Sequence, residues 1–293
     1  MLIKFDEVNY NEGILMGITK KDFPSVLDSA YEQYKRDLER YKLVKEIMTP
    51  KVFTISPEAS MDNAARVMGE KHIGSLIVEK YDTPVGIVTE RDLVTKILAK
   101  EKDPRDEQVE KAMSYPLVTV CLTAKIKEAA QMMIKKKGRL AVFDCGKMMG
   151  IVTASDLIRS LPEIRETEAV VDDFMTKEVV SAEETTPVKV IAKTMGEQRI
   201  GSVIVTNKGN RAGIFTERDL LNIFLSKNSA SEALETSVAS QFSSPLITMP
   251  SGTSVHKAAA TMALKHIRRL PIVRKEKLIG IITARDLVEA YAK

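Results

Sequence analysis

One seven-residue pattern occurs four times in this chain at nearly even spacing. Each copy has a glycine, two mostly aliphatic residues, a threonine, two variable residues and an aspartate, and the copies lie at 86–92, 150–156, 213–219 and 280–286. The four aspartates are 64, 63 and 67 residues apart. A repeat of this length indicates one structural unit built four times. We therefore expect the function to reside in the repeated unit.

The repeats are of two alternating kinds. The first and third have Ile-Gly-Ser before an apolar run, at 73–75 and 200–202, and both contain Thr-Glu-Arg-Asp. The second and fourth have Arg-Leu at the corresponding place, at 139–140 and 269–270, and both contain Thr-Ala-x-Asp. We infer that a unit of two repeats was itself duplicated.

The hydrophobic pattern predicts the order β-α-β-β-α in each repeat, after a short leading turn. The fold class is therefore α/β (α+β), and a unit of about 60 residues buries so little core alone that repeats should pair. Asp22 or Ser25 as the cap and Pro24 in the first turn predict an amphipathic helix before the first repeat. We expect it to pack on its own protein, with docking to a partner as the alternative. The predicted divisions are an N-terminal extension 1–43, a first module 44–162 with repeats 44–100 and 107–162, and a second module 169–293 with repeats 169–227 and 235–293.

Composition excludes several classes of protein. The 44 basic and 40 acidic residues give a net charge of +4, which is too balanced to imply nucleic-acid binding by itself. Cys121 and Cys145 lack the spacing of a zinc or redox motif, and no apolar run reaches the roughly 18 residues that span a bilayer. No activated nucleophile, phosphate-binding loop or paired acid and base is visible. We expect a cytoplasmic protein that is not an enzyme and has no metal or catalytic cofactor.

The recurring Thr-x-x-Asp has two interpretations. It is the pattern of a capping box, in which the threonine caps a helix and the acid occupies its third position. It also places a hydroxyl, a carboxylate and free helix N–H groups at the end of a strand, where phosphate and ribose can be bound. In that case aliphatic residues such as Ile55, Ile87 and Ile214 would enclose a purine, and the preceding glycine would permit close backbone approach.

The four repeats resemble cystathionine-β-synthase (CBS) domains, arranged as two tandem pairs called Bateman modules, over residues 44 to 293. A chain of four such domains is similar to the gamma subunit of AMP-activated protein kinase and to stand-alone archaeal CBS proteins. The resemblance implies a flat disc of two modules that binds an adenosine ligand. It implies ribose contacts from Asp92, Asp156, Asp219 and Asp286, phosphate or ribose contacts from Thr89, Thr153, Thr216 and Thr283, and adenine-side contacts from Thr54, Thr119, Ser181 and Thr248.

The basic residues depart from the family pattern at two places. Arg91, Arg218 and Arg285 precede the aspartate, where the family often has serine or asparagine; they either reach phosphate or are solvated at a helix start. Before the strand, the second repeat has Arg139 and the fourth has Arg268 and Arg269. We predict that Arg139 and Arg269 neutralise phosphates held partly by the neighbouring repeat, with a surface basic cluster as the alternative.

Three functions remain open. The first is a regulatory protein that binds AMP, ADP or ATP between repeats and signals to a protein partner, or within a homodimer, by rearranging its modules. The second keeps the fold and takes S-adenosylmethionine or another adenosyl compound. The third is a nucleic-acid-binding or scaffold protein, which lacks the interleaved aromatic residues that stack on bases.

Overall fold

The computed structural model describes residues 43–136, 138–160, 169–226, 230–239 and 241–293. These residues form four three-stranded sheets, one in each repeat. The first strand of each sheet is short and runs parallel to the second, which is antiparallel to the third. The strands are β1 Thr54–Ile55, β2 Ser75–Lys80, β3 Thr83–Thr89, β4 Thr119–Cys121, β5 Leu140–Asp144, β6 Lys147–Val152, β7 Ser181–Glu183, β8 Ser202–Asn207, β9 Asn210–Thr216, β10 Met249–Pro250, β11 Arg269–Arg274 and β12 Lys277–Thr283.

The main helices of each repeat lie where the sequence predicts them, and the mixed α/β fold of four repeats is confirmed. The helix that precedes the first repeat in our prediction lies outside the described residues. The helices are α1 Val44–Ile47, α2 Met61–Glu70, α3 Glu90–Asp92 with a π turn Leu93–Ile97 and a 3-10 turn Leu98–Lys100, α4 Val109–Ala112, α5 Ile126–Lys136, α6 Ala154–Ile158, α7 Val188–Glu197, α8 Glu217–Ser226, α9 Ala230–Glu235, α10 Val255–Leu264 and α11 Ala284–Ala292, with a further 3-10 turn at Val171–Asp173.

Helix α2 shows why these segments are helical. Ser60 caps it by accepting a hydrogen bond from the backbone N–H of Asn63 at 3.1 Å. Its buried residues include Met61, Ala65 and Met68, whose spacing produces one apolar face. The small alanine on that face lets the helix pack closely on its neighbours.

Two hydrophobic cores join the modules to each other. One core combines buried residues of the first and third repeats, with α2 against α8, and α7 against the helical segment 93–100. The other combines the second and fourth repeats, with α11 against α5 and α6. Neither module is therefore a closed unit, because each repeat shares its main core with a repeat of the other module.

Within a module, the two repeats exchange their leading turns. Val44, at the start of the first repeat, is buried in the core of the second, and Val109, at the start of the second, is buried in the core of the first. Val171 and Val238 are exchanged in the same way in the second module. The exchange ties together repeats that share little core.

The motif glycines accommodate these exchanged turns. A Cβ on Gly150 would lie 2.7 Å from the carbonyl oxygen of Thr49 and 2.9 Å from the sulfur of Met48. In the same way, a Cβ on Gly86 would lie 2.8 Å from the sulfur of Met113 and 3.0 Å from the carbonyl oxygen of Ser114. The close approach predicted at the glycine is therefore made by the partner repeat's own backbone.

Candidate functional site

All four repeats contribute to one central cavity of about 1070 Å³. This volume is slightly above the roughly 300–1000 Å³ typical of small-molecule sites. Among the described residues its wall carries seven arginines and two lysines against two glutamates and three aspartates. The surplus of four positive charges gives the cavity a positive potential, which favours anions over cations.

Each threonine–aspartate pair forms the capping geometry that the sequence allows. Asp92 Oδ2 accepts hydrogen bonds from the backbone N–H and the hydroxyl of Thr89 at 2.9 and 2.6 Å. The pairs Thr153–Asp156, Thr216–Asp219 and Thr283–Asp286 have the same bonds, at 2.7 or 2.8 Å. The capping interpretation accounts for Oδ2 of each aspartate and leaves Oδ1 for another partner.

The second carboxylate oxygen distinguishes the four aspartates. Asp92 Oδ1 lies 2.8 Å from Lys96 Nζ, and Asp156 Oδ1 pairs with Arg159. Oδ1 of Asp219 and Oδ1 of Asp286 accept no hydrogen bond from any described residue. Burial raises the pKa of both Asp219 and Asp286 above the usual aspartate value, although the bonds from their threonines oppose the shift. These two carboxylates are thus desolvated without a cation bonded to them.

Two buried glutamates, missed by the sequence analysis, line the central cavity. Glu90 and Glu217 are only 2% and 7% exposed. Glu217 accepts from Arg91 at 3.0 Å and from Arg269 at 2.8 Å. Burial raises the pKa of Glu217, but the two arginines outweigh it and hold the pKa below its ordinary value. Glu217 is therefore an ionised carboxylate bonded by one arginine of each module.

Glu90 occupies the equivalent position in the first repeat and pairs less tightly. Arg218 and Arg268 each approach its carboxylate at 3.4 Å. Arg218 also donates to the carbonyl oxygen of His72 at 2.9 Å. Arg91 of the first module pairs with Glu217 of the second, and Arg218 of the second module pairs with Glu90 of the first. This exchange relates the two modules in the same way as the duplication seen in the sequence.

Some arginine donors face the cavity without a partner. Arg139 makes no hydrogen bond or ion pair with the described residues, and Arg218 Nε is buried and has no acceptor. Burial lowers the pKa of Arg139, with Glu90 opposing the shift and Arg268 adding to it. A desolvated cation without an acceptor is costly, and an anionic ligand would remove that cost.

The alternation of the repeats has a steric cause at this centre. A Cβ on Gly74 would lie 2.8 Å from a terminal nitrogen of Arg139 and 2.9 Å from Glu90. The same comparison places Gly201 against Arg269 and Glu217. The glycine of one repeat thus makes room for the arginine of its module partner, as the predicted crossing of Arg139 and Arg269 requires.

The structure brings most of the predicted site residues to the cavity. Its wall includes Thr89, Asp92, Thr153, Asp156, Thr216, Asp219 and the arginines 91, 139, 218, 268, 269 and 285. Arg285 donates weakly to the carbonyl oxygen of Ile134, and burial and the nearby Arg91 lower its pKa. Thr283 and Asp286 are not among the residues that line this cavity. Ligand contacts by all of these residues stay predictions.

The predicted adenine-side hydroxyls are also outside the central cavity. Thr54, Thr119, Ser181 and Thr248 are exposed, and Thr119 lines a separate pocket of about 540 Å³. The cavity is lined instead by the residues immediately before three of them, Phe53, Val118 and Ile247. Strand residues alternate between faces, so a difference of one position changes the side that a side chain faces.

The prediction that Ile55 would contact a purine is wrong, because Ile55 does not line the cavity. It belongs to the core shared by the first and third repeats and is 9% exposed. Ile87 and Ile214 do line the cavity. Ile55 lies on a strand face that packs on helices, which the sequence does not distinguish from the cavity face.

The described residues contain no cluster of three or more histidine, cysteine or acidic side chains that could hold a metal. In the same part of the chain, no helix has the length and apolar content needed to cross a membrane. Cys121 and Cys145 are free and exposed. The polar chemistry of the cavity therefore consists of hydroxyl, carboxylate and guanidinium groups.

Comparison with known proteins identifies the family. The family model for the CBS domain matches residues 44–99, 108–163, 171–226 and 239–293. The chain belongs to the CBS-domain family, whose members are commonly regulators that bind adenosine ligands.

Two similar proteins match this chain over nearly their whole length. The uncharacterized protein MJ1225 of Methanocaldococcus jannaschii is 25% identical over 86% of this chain and 99% of its own length. Its crystal structure, described as a candidate archaeal homologue of γ-AMPK, has a TM-score of 0.72 at 24% identity, covering 85% of this chain and 99% of that one. A conserved protein of Pyrococcus horikoshii has a TM-score of 0.58 at 25% identity, covering 86% and 100%.

A further relative is longer than this chain. MJ1404 of Methanocaldococcus jannaschii is 30% identical over 85% of this chain, and the match spans 62% of its length. These similarities support the fold, and the four repeats are shown by the family model.

Proposed function

We propose that this protein is a regulatory protein that binds AMP, ADP or ATP in the central cavity and signals to a protein partner through the relation of its two modules. The observation that carries the proposal is the convergence, in one cavity, of unpaired cationic donors and a carboxylate with an unused oxygen. Arg139 and Arg218 Nε supply the donors, and Asp219 Oδ1 supplies the acceptor.

The chemistry of a nucleotide matches these groups. A ribose offers vicinal hydroxyls that donate to a carboxylate, and the phosphates accept from guanidinium groups. Pro245 and Ile247 provide apolar surface in the same cavity for a purine. Asp219 Oδ1 has no bonded partner among the described residues and can accept a ribose hydroxyl, whereas Oδ1 of Asp92 and of Asp156 is already shared with Lys96 or Arg159. We therefore assign the first nucleotide to Asp219.

The alternative functions fit the cavity less well. S-adenosylmethionine has the ribose and the purine but carries a sulfonium cation, which the surplus of positive charge repels. A nucleic acid would need the arginines on an outer surface, whereas Arg139, Arg268 and Arg269 line the interior cavity. Because its polar groups are used for binding, we also propose that the protein is not an enzyme.

Calorimetric titration of the intact chain with AMP, ADP, ATP and S-adenosylmethionine tests the proposal. We expect binding of the nucleotides and weaker binding of S-adenosylmethionine. Asp219→Asn should lower nucleotide affinity by about tenfold or more, because a hydrogen bond to a charged group contributes roughly 1.5–3 kcal/mol.

Asp286→Asn is the matched control. Asp286 has the same threonine bonds and the same unused oxygen but lies outside the cavity. Its substitution should change nucleotide affinity by less than about threefold, because Asp286 does not line the cavity. If no nucleotide binds, or if both variants lose affinity equally, the assignment to the central cavity is wrong.

A further inference from the structure

The two buried glutamates are bonded to the same arginines that a ligand's phosphates would need. The carboxylate of Glu217 is bonded by Arg91 and Arg269, and that of Glu90 by Arg218 and Arg268. Each glutamate is the first residue of the helix that follows the threonine of its Thr-Glu-Arg-Asp motif. Its arginines come from other repeats, so the carboxylate supplies an internal anion to a cluster of cations.

This arrangement differs from an ordinary surface ion pair in its burial. Glu90 and Glu217 are almost fully buried, and Arg269 is only 14% exposed in its side chain. Removing either partner of such a pair leaves a desolvated charge. An incoming phosphate, however, would replace the carboxylate as an acceptor without leaving the guanidinium groups unpaired.

We propose that Glu90 and Glu217 are built-in substitutes for ligand phosphate, which compete with it for the central arginines and link the two modules in the ligand-free protein. This inference rests on the proposed nucleotide function. When phosphate takes over the arginines, the Arg91–Glu217 and Arg218–Glu90 pairs between the modules are broken. Phosphate charge is thereby coupled to the contact between modules, which gives the regulatory protein its signal.

Competition predicts how affinity depends on the phosphate group. Glu217→Gln removes the charge that holds Arg91 and Arg269 while it keeps nearly the same shape. Its affinity for AMP should rise by about tenfold, the equivalent of one charge-assisted hydrogen bond. The gain should be larger for ATP than for AMP and should be absent for adenosine, which has no phosphate.

Glu101→Gln is the matched control for this substitution. Glu101 also forms an ion pair between the first and third repeats, with Lys193 at 2.6 Å, but both side chains are exposed and lie outside the cavity. Its substitution should leave all three affinities unchanged. Unchanged or reduced AMP and ATP affinity in folded Glu217→Gln would overturn the proposal, because it would make Glu217 a support for the arginines and not a competitor.

Pyrophosphate provides a second measurement if Glu217→Gln is too unstable to titrate. The anion should raise the thermal midpoint of Glu217→Gln, and of the less tightly paired Glu90→Gln, more than that of the wild-type chain. An equal or smaller rise in both variants would overturn the proposal. Pyrophosphate also separates the two hypotheses: if nucleotides do not bind, the proposed function fails, while preferential stabilisation of the variants by pyrophosphate would still support competition.

Discussion

Replacement of Gly150 by alanine tests whether the recurring glycine is needed to make room for the leading turn of the partner repeat. The new Cβ would lie 2.7 Å from the carbonyl oxygen of Thr49. Either this steric overlap remains in the folded protein, or the leading turn that contains Thr49 moves away. Retained overpacking costs about 1–3 kcal/mol. Movement breaks the two backbone hydrogen bonds between Thr49 and Ile151, of 2.9 and 3.0 Å, each contributing about 1 kcal/mol. Both routes predict a loss of about 2 kcal/mol.

Thermal unfolding followed by circular dichroism measures this loss. Each kcal/mol corresponds to about 2–4 °C in chains of 150–250 residues, so Gly150→Ala should unfold roughly 4–8 °C below the wild-type chain. Gly138→Ala is the control, because the nearest atom to its Cβ would be the carbonyl oxygen of Lys136 at 3.9 Å; it should stay within about 0.5 kcal/mol. Equal midpoints for the two variants would refute the reasoning, and a loss of nucleotide binding at unchanged stability would assign the glycine to the ligand instead.

Two further predictions concern the aspartates. Burial raises the pKa of Asp219 in the folded state, so ionised Asp219 lowers the free energy of unfolding at pH values above that pKa. This loss of stability disappears as the pH falls and the carboxyl becomes protonated in both the folded and the unfolded state. Ligand-free Asp219→Asn should therefore unfold at a higher temperature than the wild-type chain at about pH 7, and the difference should shrink toward about pH 4; a constant or opposite difference would contradict the burial argument. Lys96→Met removes the cation that is paired with Asp92 Oδ1. Calorimetry should then show about tenfold tighter nucleotide binding at the first repeat. An unchanged isotherm would show that Lys96 does not restrict nucleotide binding by Asp92.

The sequence predicted those features that recur or that are local. The spacing of the four aspartates defined the repeats, and the apolar pattern predicted the order of strands and helices. The predicted placement of Arg139 and Arg269 beside the neighbouring repeat agrees with the positions of their guanidinium groups, which occupy the space that a Cβ on Gly74 or Gly201 would need. These predictions used differences between repeats as well as similarities, and the contacts of Arg139 and Arg269 with phosphate stay predictions.

The features that the sequence did not predict depend on distant neighbours. Val44 is buried in the second repeat, but nothing near Val44 in sequence distinguishes that repeat from its own. Glu90 is in the first turn of a helix, where an acid is favoured by the helix dipole alone, so its burial was not expected. A signal was present, since the residue after the motif threonine is glutamate in the two repeats that have Gly-Ser and alanine in the two that have Arg-Leu.

The site is composite, and this property connects its chemistry to regulation. Asp219 belongs to the third repeat, Arg269 to the fourth and Arg91 to the first, yet all line one cavity. A ligand that contacts several repeats binds best to the arrangement that brings them together, and only this difference in affinity can shift the arrangement. In this chain the relevant contacts between modules are the buried pairs of Glu90 and Glu217 with arginines, because a ligand phosphate competes for the same guanidinium groups. A ligand that reached Asp219 alone would bind without this effect, so the phosphate end of the nucleotide should determine the regulatory response.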